Sequence, residues 1–371
     1  MKAKHLMLAM TVLAIAGCSQ NEITEKSPDA NPAIGFSVYT GAQTRGTVAD
    51  NTALQTSGFG ILAYSTGSTA WTGTNEKPSF MYNQEVTYSG GWSYTPIKYW
   101  PKNTTDKISF FGYAPYDDSG ASINKGIALS ANSDTGNPTI TFTVNDAANN
   151  MVDLMTDETQ KDKTSASGTV AFKFKHILSR VNLVAKAAAT LADGTSIVVK
   201  SAKISGSSSH TATKFYKTAV YTTNLSTGTG AWAAGTATFT SDYDLVSVLD
   251  KKDLGITGYS TQGIKIDKDN TTTEVKLFKD NEYLFLIPVT DFVKGDIEIK
   301  FEYDVVSPDA SNPSSVVVSN ETATVQLPAS TLAKGTAYKY TFTISMNAIV
   351  VSGEVDPAWG AETEGSLDVK P

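Results

Sequence analysis

Apolar residues alternate with polar ones along much of this chain, with the period of two that predicts β-strands. In the stretch "IGFSV", Ile34, Phe36 and Val38 fall on one face of the predicted strand. Other strand-like stretches include "GFGILAYST", "KISFFGYAPY" and "DIEIKFEYDVV", and the small residues at 89–91 indicate a hairpin turn. Long apolar-periodic helices are absent, so the pattern predicts an all-β protein.

One segment leaves the choice between strand and helix open. Val170, Phe172 and Phe174 alternate with polar or small residues, which predicts a strand. The following "HILSR" could form one helical turn before a second strand over 181–185. A helix over 176–190 competes with this interpretation, because "AKAAATLAD" has high helix propensity.

The chain of 371 residues is long enough for two domains. Residues 159–168, "TQKDKTSASG", are polar and without period, and they are the predicted boundary. We therefore expect two antiparallel β-sandwich domains, an N-terminal one over 34–165 and a C-terminal one over 166–371.

The amino-terminal segment "MKAKHLMLAMTVLAIAGC" is a lysine-bearing, short apolar leader that ends in Cys18, the only cysteine of the chain. It resembles the leader of bacterial lipoproteins, in which the cysteine is acylated after cleavage. We expect a signal peptide over 1–17 and a flexible tether over 18–33, whose sequence is polar and without period. The alternative is an ordinary secretory signal with a cysteine there by chance.

Composition argues against several classes of function. The net charge of −7 and the pI near 5.1 disfavour nucleic acid as a partner. Behind the leader only His176 and His210 remain as histidines. His176 ends a strand-like run, where a hydrogen-bonded structural role is expected, and His210 lies in a polar loop, where a solvated side chain is expected, so neither a histidine-based catalytic site nor a zinc site is predicted. The sequence predicts no enzyme, no cofactor and no metal.

Several stretches in this order resemble the fimbrillin family, the subunits of type V pili in Bacteroidales-type bacteria. They are the lipoprotein leader, "IGFSVYTGAQTRG", "GFGILAYST", "KISFFGYAPY", "MVDLMTDE" with "VAFKFKHILSRV", and "LPASTLAKGTAYKYTFTI" with "VDPAW". The resemblance implies two transthyretin-like β-sandwiches and export as an outer-membrane lipoprotein. It also implies cleavage by an arginine-specific extracellular protease, which removes the first strand so that a strand of a neighbouring subunit can fill the groove.

The chain contains only two arginines, Arg45 and Arg180. Arg45 lies in the small and polar stretch "GAQTRGT", which suits an accessible loop, whereas Arg180 lies in a segment expected to be folded. The expected cut is therefore between Arg45 and Gly46; it would remove the first strand, 34–39, and leave 371 − 45 = 326 residues. The alternative is that Arg45 is an ordinary solvated side chain.

The candidate donor strand lies in the C-terminal tail, 346–371. Ile349, Val351 and Val355 share one face of a strand there. Two alternatives stay open: 338–355 is simply the last strand of the second domain, or the donor is the terminal "SLDVKP".

The sequence thus predicts a structural pilus subunit that supports adhesion or biofilm formation. Its expected partners are other pilus subunits of the same or another kind, the protease, the outer membrane through the lipid on Cys18, and a host or bacterial surface ligand. The alternative is a glycan-binding surface lipoprotein that does not polymerise, since "GGWSYTPIKYWP" is rich in aromatic residues that stack on sugars.

Overall fold

The computed structural model shows a protein that is nearly all β, which confirms the predicted class. It describes residues 31–38, 51–118, 125–207, 214–233, 235, 237–238, 243–280, 282–346 and 348–356. The helical elements among them are short: α1 (Asn51–Ser57) and the 3-10 turns Ala148–Asn150, Ser165–Ser167 and Lys268–Asn270.

The strands of the described residues are numbered in chain order. The first twelve are β1 (Phe36–Val38), β2 (Phe59–Gly67), β3 (Met81–Tyr88), β4 (Trp92–Ser93), β5 (Lys107–Ala114), β6 (Ile127–Leu129), β7 (Thr139–Thr143), β8 (Met155–Lys163), β9 (Val170–Phe172), β10 (Lys175–His176), β11 (Ser179–Ala187) and β12 (Ser196–Gly206). The strands that follow are β13 (Tyr216–Thr222), β14 (Ala231–Trp232), β15 (Ala237–Thr238), β16 (Tyr243–Asp244), β17 (Ile264–Ile266), β18 (Val275–Lys276), β19 (Leu284–Leu286), β20 (Val289–Phe292), β21 (Ile297–Pro308), β22 (Val316–Gln326), β23 (Ser330–Leu332), β24 (Ala337–Ile344) and β25 (Ile349–Val355).

A six-stranded sheet in the order β10-β8-β5-β2-β3-β4 organises the amino-terminal half. Its two central strands, β2 and β5, are buried on both faces. One face packs against β1, β9 and the segment that contains Tyr94 and Trp100; we call this set of buried residues the first core. The residues on the opposite face, such as Leu62 and Phe111, belong to a larger second core.

The second core runs from that sheet through the carboxy-terminal half. It contains residues of the sheet β14-β13-β7-β6 and of two five-stranded sheets, one built on β11, β24 and β25 and the other on β12, β21 and β22. The last two sheets face each other, and the rings of Phe301 and Phe342 meet there with centroids 4.9 Å apart. The apolar residues at alternate positions of β21 and β24 fill the space between the two sheets.

Hydrogen-bonded strand pairs cross the predicted boundary at 165/166. Strand β1 pairs with β9, β7 with β13, and β8 with β10. The boundary therefore does not separate two independent sets of strands. The division into domains 34–165 and 166–371, each a transthyretin-like sandwich, stays a prediction.

The alternative helix over 176–190 is wrong, because residues 179–187 of this segment form strand β11. It lies between β24, with which it forms eight parallel residue pairs, and strands β18 and β19. Burial along both faces of β11 outweighs the helix propensity of its alanines. As the alternation predicts, Val170, Phe172 and Phe174 are buried, and the residues that alternate with them, Ala171, Lys173 and Lys175, are exposed.

The alternative that 338–355 is simply the last strand of the second domain holds only in part, because the segment lies in a carboxy-terminal sheet but is not one strand. The segment contains two antiparallel strands, β24 and β25, joined by a tight turn. In that turn the Ser345 N–H donates to the Ala348 carbonyl at 2.8 Å, and the Ala348 N–H donates to the Ser345 hydroxyl at 3.0 Å. A serine side chain that bonds to nearby backbone stabilises such a turn.

Candidate functional site around the first strand

The chain just before β1 pairs with the segment that follows Tyr94. The Ile34 N–H donates to the Lys98 carbonyl at 2.9 Å, and the Trp100 N–H donates to the Pro32 carbonyl at 3.0 Å. The Tyr94 hydroxyl donates to the Ile34 carbonyl at 2.9 Å. Burial raises the pKa of Tyr94, partly offset by the backbone of Lys98, so the phenol stays protonated and available as this donor.

On its other side the first strand pairs with β9. Phe36 stands opposite Val170 and Val38 opposite Phe172, in parallel orientation. The Val170 N–H also donates to the Gly35 carbonyl at 2.9 Å. The first strand and the residues before it therefore lie between two backbone segments of the same chain, and both would lose hydrogen-bond partners without it.

The side chains of this strand enter the first core. Ile34 is 1% exposed and Phe36 is 6% exposed, and Val38 packs partly buried against the same core. The ring of Phe36 lies with its centroid 5.0 to 5.9 Å from the rings of three further aromatic residues, Tyr94, Phe110 and Phe172. Burying two large apolar side chains contributes roughly 3–6 kcal/mol before ordering costs.

The position of Gly35 restricts what can occupy this place. A Cβ atom at Gly35 would lie 3.2 Å from the Oγ1 atom of Thr169, closer than most side-chain contacts. A small residue is therefore favoured between the apolar side chains of Ile34 and Phe36. We call the place occupied by residues 34–38 the first-strand groove.

The residues predicted for lipidation and cleavage, Cys18, Arg45 and Gly46, lie outside the described residues. The described chain ends at Val38 and resumes at Asn51, the first residue of α1. Both the predicted lipid attachment and the predicted cut stay predictions.

Arg180, the other arginine, is buried and is 3% exposed. Its guanidinium carbon lies 4.3 Å from the ring centroid of Tyr283, and its Nη2 atom lies 3.9 Å from the Oδ2 atom of Asp356. A side chain held in this way is inaccessible to a protease in the folded protein.

The candidate donor residues lie in β25, at the edge of a carboxy-terminal sheet. Strand β25 pairs only with β24 among the described strands, along seven residue pairs. Ile349 and Val351 pack partly buried against the second core, whereas Val355 is 60% exposed. The structure thus places the first-strand residues and the candidate donor residues against different cores.

His176 is a buried structural residue. Its Nδ1 atom lies 2.8 Å from the Oδ2 atom of Asp153, which is fully buried. His210 lies outside the described residues. Within the described part of the chain, no group of three or more His, Cys, Asp or Glu side chains is arranged to hold a metal ion.

The helices among the described residues are all too short or too polar to span a membrane.

The aromatic residues of "GGWSYTPIKYWP" mostly serve the first core. Tyr94 and Trp100 are buried there, and Trp92 packs partly buried against it. Tyr99, at 56% exposure, is the one of these four rings that is open to solvent. This stretch therefore does not present a row of aromatic rings for a sugar.

A buried polar cluster between β8 and β13 was not anticipated from the sequence. The Glu158 carboxylate accepts from the Tyr221 hydroxyl at 2.7 Å, from the Asn224 N–H at 2.6 Å and from the Thr156 hydroxyl at 3.1 Å. Burial, with the Glu158 charge, raises the pKa of Tyr221, so its hydroxyl remains a donor. The adjacent acidic residues Asp157 and Glu158 within a strand-like stretch were the available signal.

Comparison with known proteins adds the family. The model of a family described as fimbrillin-like matches residues 44–357. A curated relative, "Fimbrium subunit Fim1C" of Phocaeicola vulgatus (strain ATCC 8482), is 38% identical over 392 aligned residues and is covered completely, as is this chain.

A solved structure agrees with this assignment. A crystal structure of a fimbrial protein from Bacteroides vulgatus ATCC 8482 is 33% identical, with a TM-score of 0.73, and the match covers 87% of this chain and 98% of that one. This family is one of fimbrial structural subunits and not of enzymes. On the extent of the family match and the full-length identity, this chain belongs to the fimbrillin-like family.

Proposed function

We propose that this chain is a structural subunit of a cell-surface fimbria, exported as an outer-membrane lipoprotein and polymerised by strand exchange after cleavage. Family membership and the similarity to a protein named as a fimbrium subunit support the structural role. The observation that carries the assembly model is the burial of Ile34 and Phe36, near the amino terminus, in the first core.

The first step is processing. Cys18 receives the lipid that tethers the chain to the outer membrane, and an arginine-specific extracellular protease later cuts between Arg45 and Gly46. The burial of Arg180 supports selectivity for Arg45. The 28 lysines, 30 basic residues minus the two arginines, are poor substrates for a pocket that pairs bidentately with guanidinium.

The second step is departure of the first strand. Its loss exposes the aromatic rings that surround Phe36 in the uncleaved chain. It also leaves the Trp100 and Val170 N–H groups without the carbonyls to which they donate. An open groove with unpaired backbone is unfavourable in water and favours the addition of a strand from elsewhere.

The third step is completion by a neighbour. A segment within 346–371 of another subunit enters the first-strand groove; one candidate is β25, with Ile349, Val351 and Val355, and the other is the chain that follows it. Each subunit then both accepts and donates a strand. This head-to-tail contact does not close, so it builds a fibre that supports adhesion or biofilm formation.

The test uses the lipid-free chain 18–371 and an arginine-specific protease. We expect one cut after Arg45 and, after it, SDS-resistant ladders of subunits. The matched variant Arg45→Lys keeps the charge and should give neither cut nor ladder. A cut at Arg45 without ladders, together with glycan binding, would favour the non-polymerising alternative.

A further inference from the structure

We propose that Lys200 forms a covalent amide bond with Asn320, an internal cross-link between strands β12 and β22. These strands flank β21 in their sheet, and Asp304 of β21 carries protons between the two reacting side chains. The bond forms within one folded chain and without an enzyme. It concerns how a single subunit is held together, so it does not depend on strand exchange.

Three side chains meet on one face of the sheet that contains β12, β21 and β22. The Lys200 ammonium lies 2.5 Å from the Oδ1 atom of Asp304, and it donates to the Oδ1 atom of Asn320 at 3.1 Å. Asp304 and Asn320 stand directly opposite each other on β21 and β22. The register of β12 with β21 shifts around Lys200. A primary amine is therefore held against a side-chain amide that lies two strands away.

The position of Asp304 allows it to exchange a proton with Lys200. Asp304 is 3% exposed, and its neighbours on the same face of the sheet, Val198 and Val306, are also buried. In surroundings with few polar groups, moving one proton from the ammonium to Oδ1 removes two opposite charges. The product is a neutral amine, which is a nucleophile, whereas the ammonium is not.

The second oxygen of Asp304 is held by Tyr259, which fixes the orientation of the carboxyl group. The Tyr259 hydroxyl donates to Oδ2 at 2.8 Å. Burial, followed by the hydrogen bond to Asp304 and its charge, raises the pKa of Tyr259 to about 12, so the phenol stays a donor near neutral pH. Oδ1 is thus directed at Lys200 while Oδ2 remains bonded.

The reaction transfers the acyl group of Asn320 from one nitrogen to another. After Asp304 has taken a proton, the lone pair of the Lys200 amine attacks the Cγ atom of Asn320 and a C–N bond forms. The Cγ–Nδ2 bond then breaks, and the leaving nitrogen receives the proton held by Asp304. Nζ keeps one hydrogen, and the second proton that it loses leaves with the ammonia as ammonium. Asp304 ends as a carboxylate, and no oxidant, reductant or further reactant is consumed.

A cross-link at this place holds a strand that has few other attachments. Among the described strands β22 pairs only with β21, and most of its side chains are exposed. A disulfide within the chain is impossible, because Cys18 is the only cysteine. The amide bond joins positions 320 − 200 = 120 residues apart, and a tie across so long a loop restricts the unfolded chain strongly.

The intact mass of the folded chain tests the proposal. The lipid-free chain 18–371 should weigh less than its sequence by one ammonia, about 17 Da. Trypsin does not cut after an acylated lysine, so digestion should give a branched peptide in which 187–203 is joined to 301–334. The full sequence mass, with separate peptides 187–200 and 301–334, would overturn the proposal.

Three variants separate the cross-link from an ordinary ion pair. Lys200→Arg keeps a cation beside Asp304 but has no reactive amine, and Asn320→Ser changes an exposed residue and removes the acyl group; both should have their full sequence mass. Asp304→Asn removes the proton carrier and should leave the branched peptide absent. The matched control Glu302→Gln, on the same face of β21, should still contain it.

Two outcomes among the variants would contradict the assigned roles. Loss of ammonia from Lys200→Arg would indicate a cyclic imide at an asparagine and not a cross-link. An unchanged yield of branched peptide from Asp304→Asn would show that Asp304 does not carry the protons.

Discussion

At the scale of single residues, polar side chains close loops and join layers where apolar packing cannot. Glu76, in the loop between β2 and β3, accepts hydrogen bonds from the Thr72 N–H at 2.8 Å and the Thr72 hydroxyl at 2.7 Å, and from the N–H groups of Thr74 at 3.0 Å and Asn75 at 3.1 Å. Burial by itself raises the pKa of Glu76, but these hydrogen bonds together lower it to about 2.

This arrangement predicts a pH-dependent contribution to stability. Because the pKa of Glu76 is lower in the folded chain than its usual value of 4.5, its contribution is present above pH 4.5 and is lost as the pH falls toward 2. We expect Glu76→Gln to lower the free energy of unfolding at pH 7 by about 1–2 kcal/mol, allowing for solvent exposure, and to have little effect near pH 2. Urea unfolding at the two pH values measures this. An equal loss at both would contradict it.

A second prediction concerns Arg180, whose guanidinium lies against the ring of Tyr283. Arg180→Lys keeps the charge but removes the planar group that stacks on the ring, so the free energy of unfolding should fall by about 1–2 kcal/mol. Chemical denaturation measures the change. Lysine at position 180 is also a poorer substrate than arginine for an arginine-specific protease. Because Arg180 is buried and is not expected to be cut, the rate of the cut at Arg45 should be the same in the variant and in the unmodified chain.

At the scale of elements, alternation predicted which face of a strand is buried but not which strand lies beside it. The buried faces at 34–38 and 170–174 could be predicted because a period of two defines two faces. The pairing of β1 with β9, more than 130 residues away and parallel, could not, because alternation carries no information about the neighbour. The turn at Ser345–Ala348 was not predicted, although its serine and asparagine favour turns, because apolar residues on both sides of it are compatible with one continuous strand.

The packing of Phe36 predicts that its side chain largely determines how fast the first strand dissociates after cleavage. Phe36→Ala should lower the stability of the uncleaved chain by about 3–4 kcal/mol, since it empties an aromatic pocket. After the cut at Arg45 the weakened peptide should leave sooner, so ladders should form faster than in the unmodified chain. SDS gel electrophoresis of samples taken at successive times after the cut measures this rate. The control Ser37→Ala should change neither quantity appreciably, and slower ladders from Phe36→Ala would contradict the role of the strand.

At the scale of the whole molecule, the amino-terminal strand contributes side chains to one core and not to the other. The first core includes Ile34 and Phe36, whereas the second core contains no residue before Leu62 among the described residues. Composition and alternation predicted the all-β class. They could not predict that the second core would run without interruption across position 165/166, because that depends on pairs such as β7 with β13.

This difference predicts a local and reversible effect of cleavage, which hydrogen exchange can measure. When the first strand leaves, the amides of Trp100 and Val170 lose the carbonyls of Pro32 and Gly35, so the peptides that contain them should exchange faster. The Leu245 N–H, bonded to the Ala202 carbonyl at 3.0 Å beside the second core, is the internal control and should be unaffected. In isolated ladders the protection at Trp100 and Val170 should return, because a neighbour's strand supplies new carbonyls. Faster exchange throughout the chain would mean instead that the two cores unfold together, and that the first strand supports the entire fold.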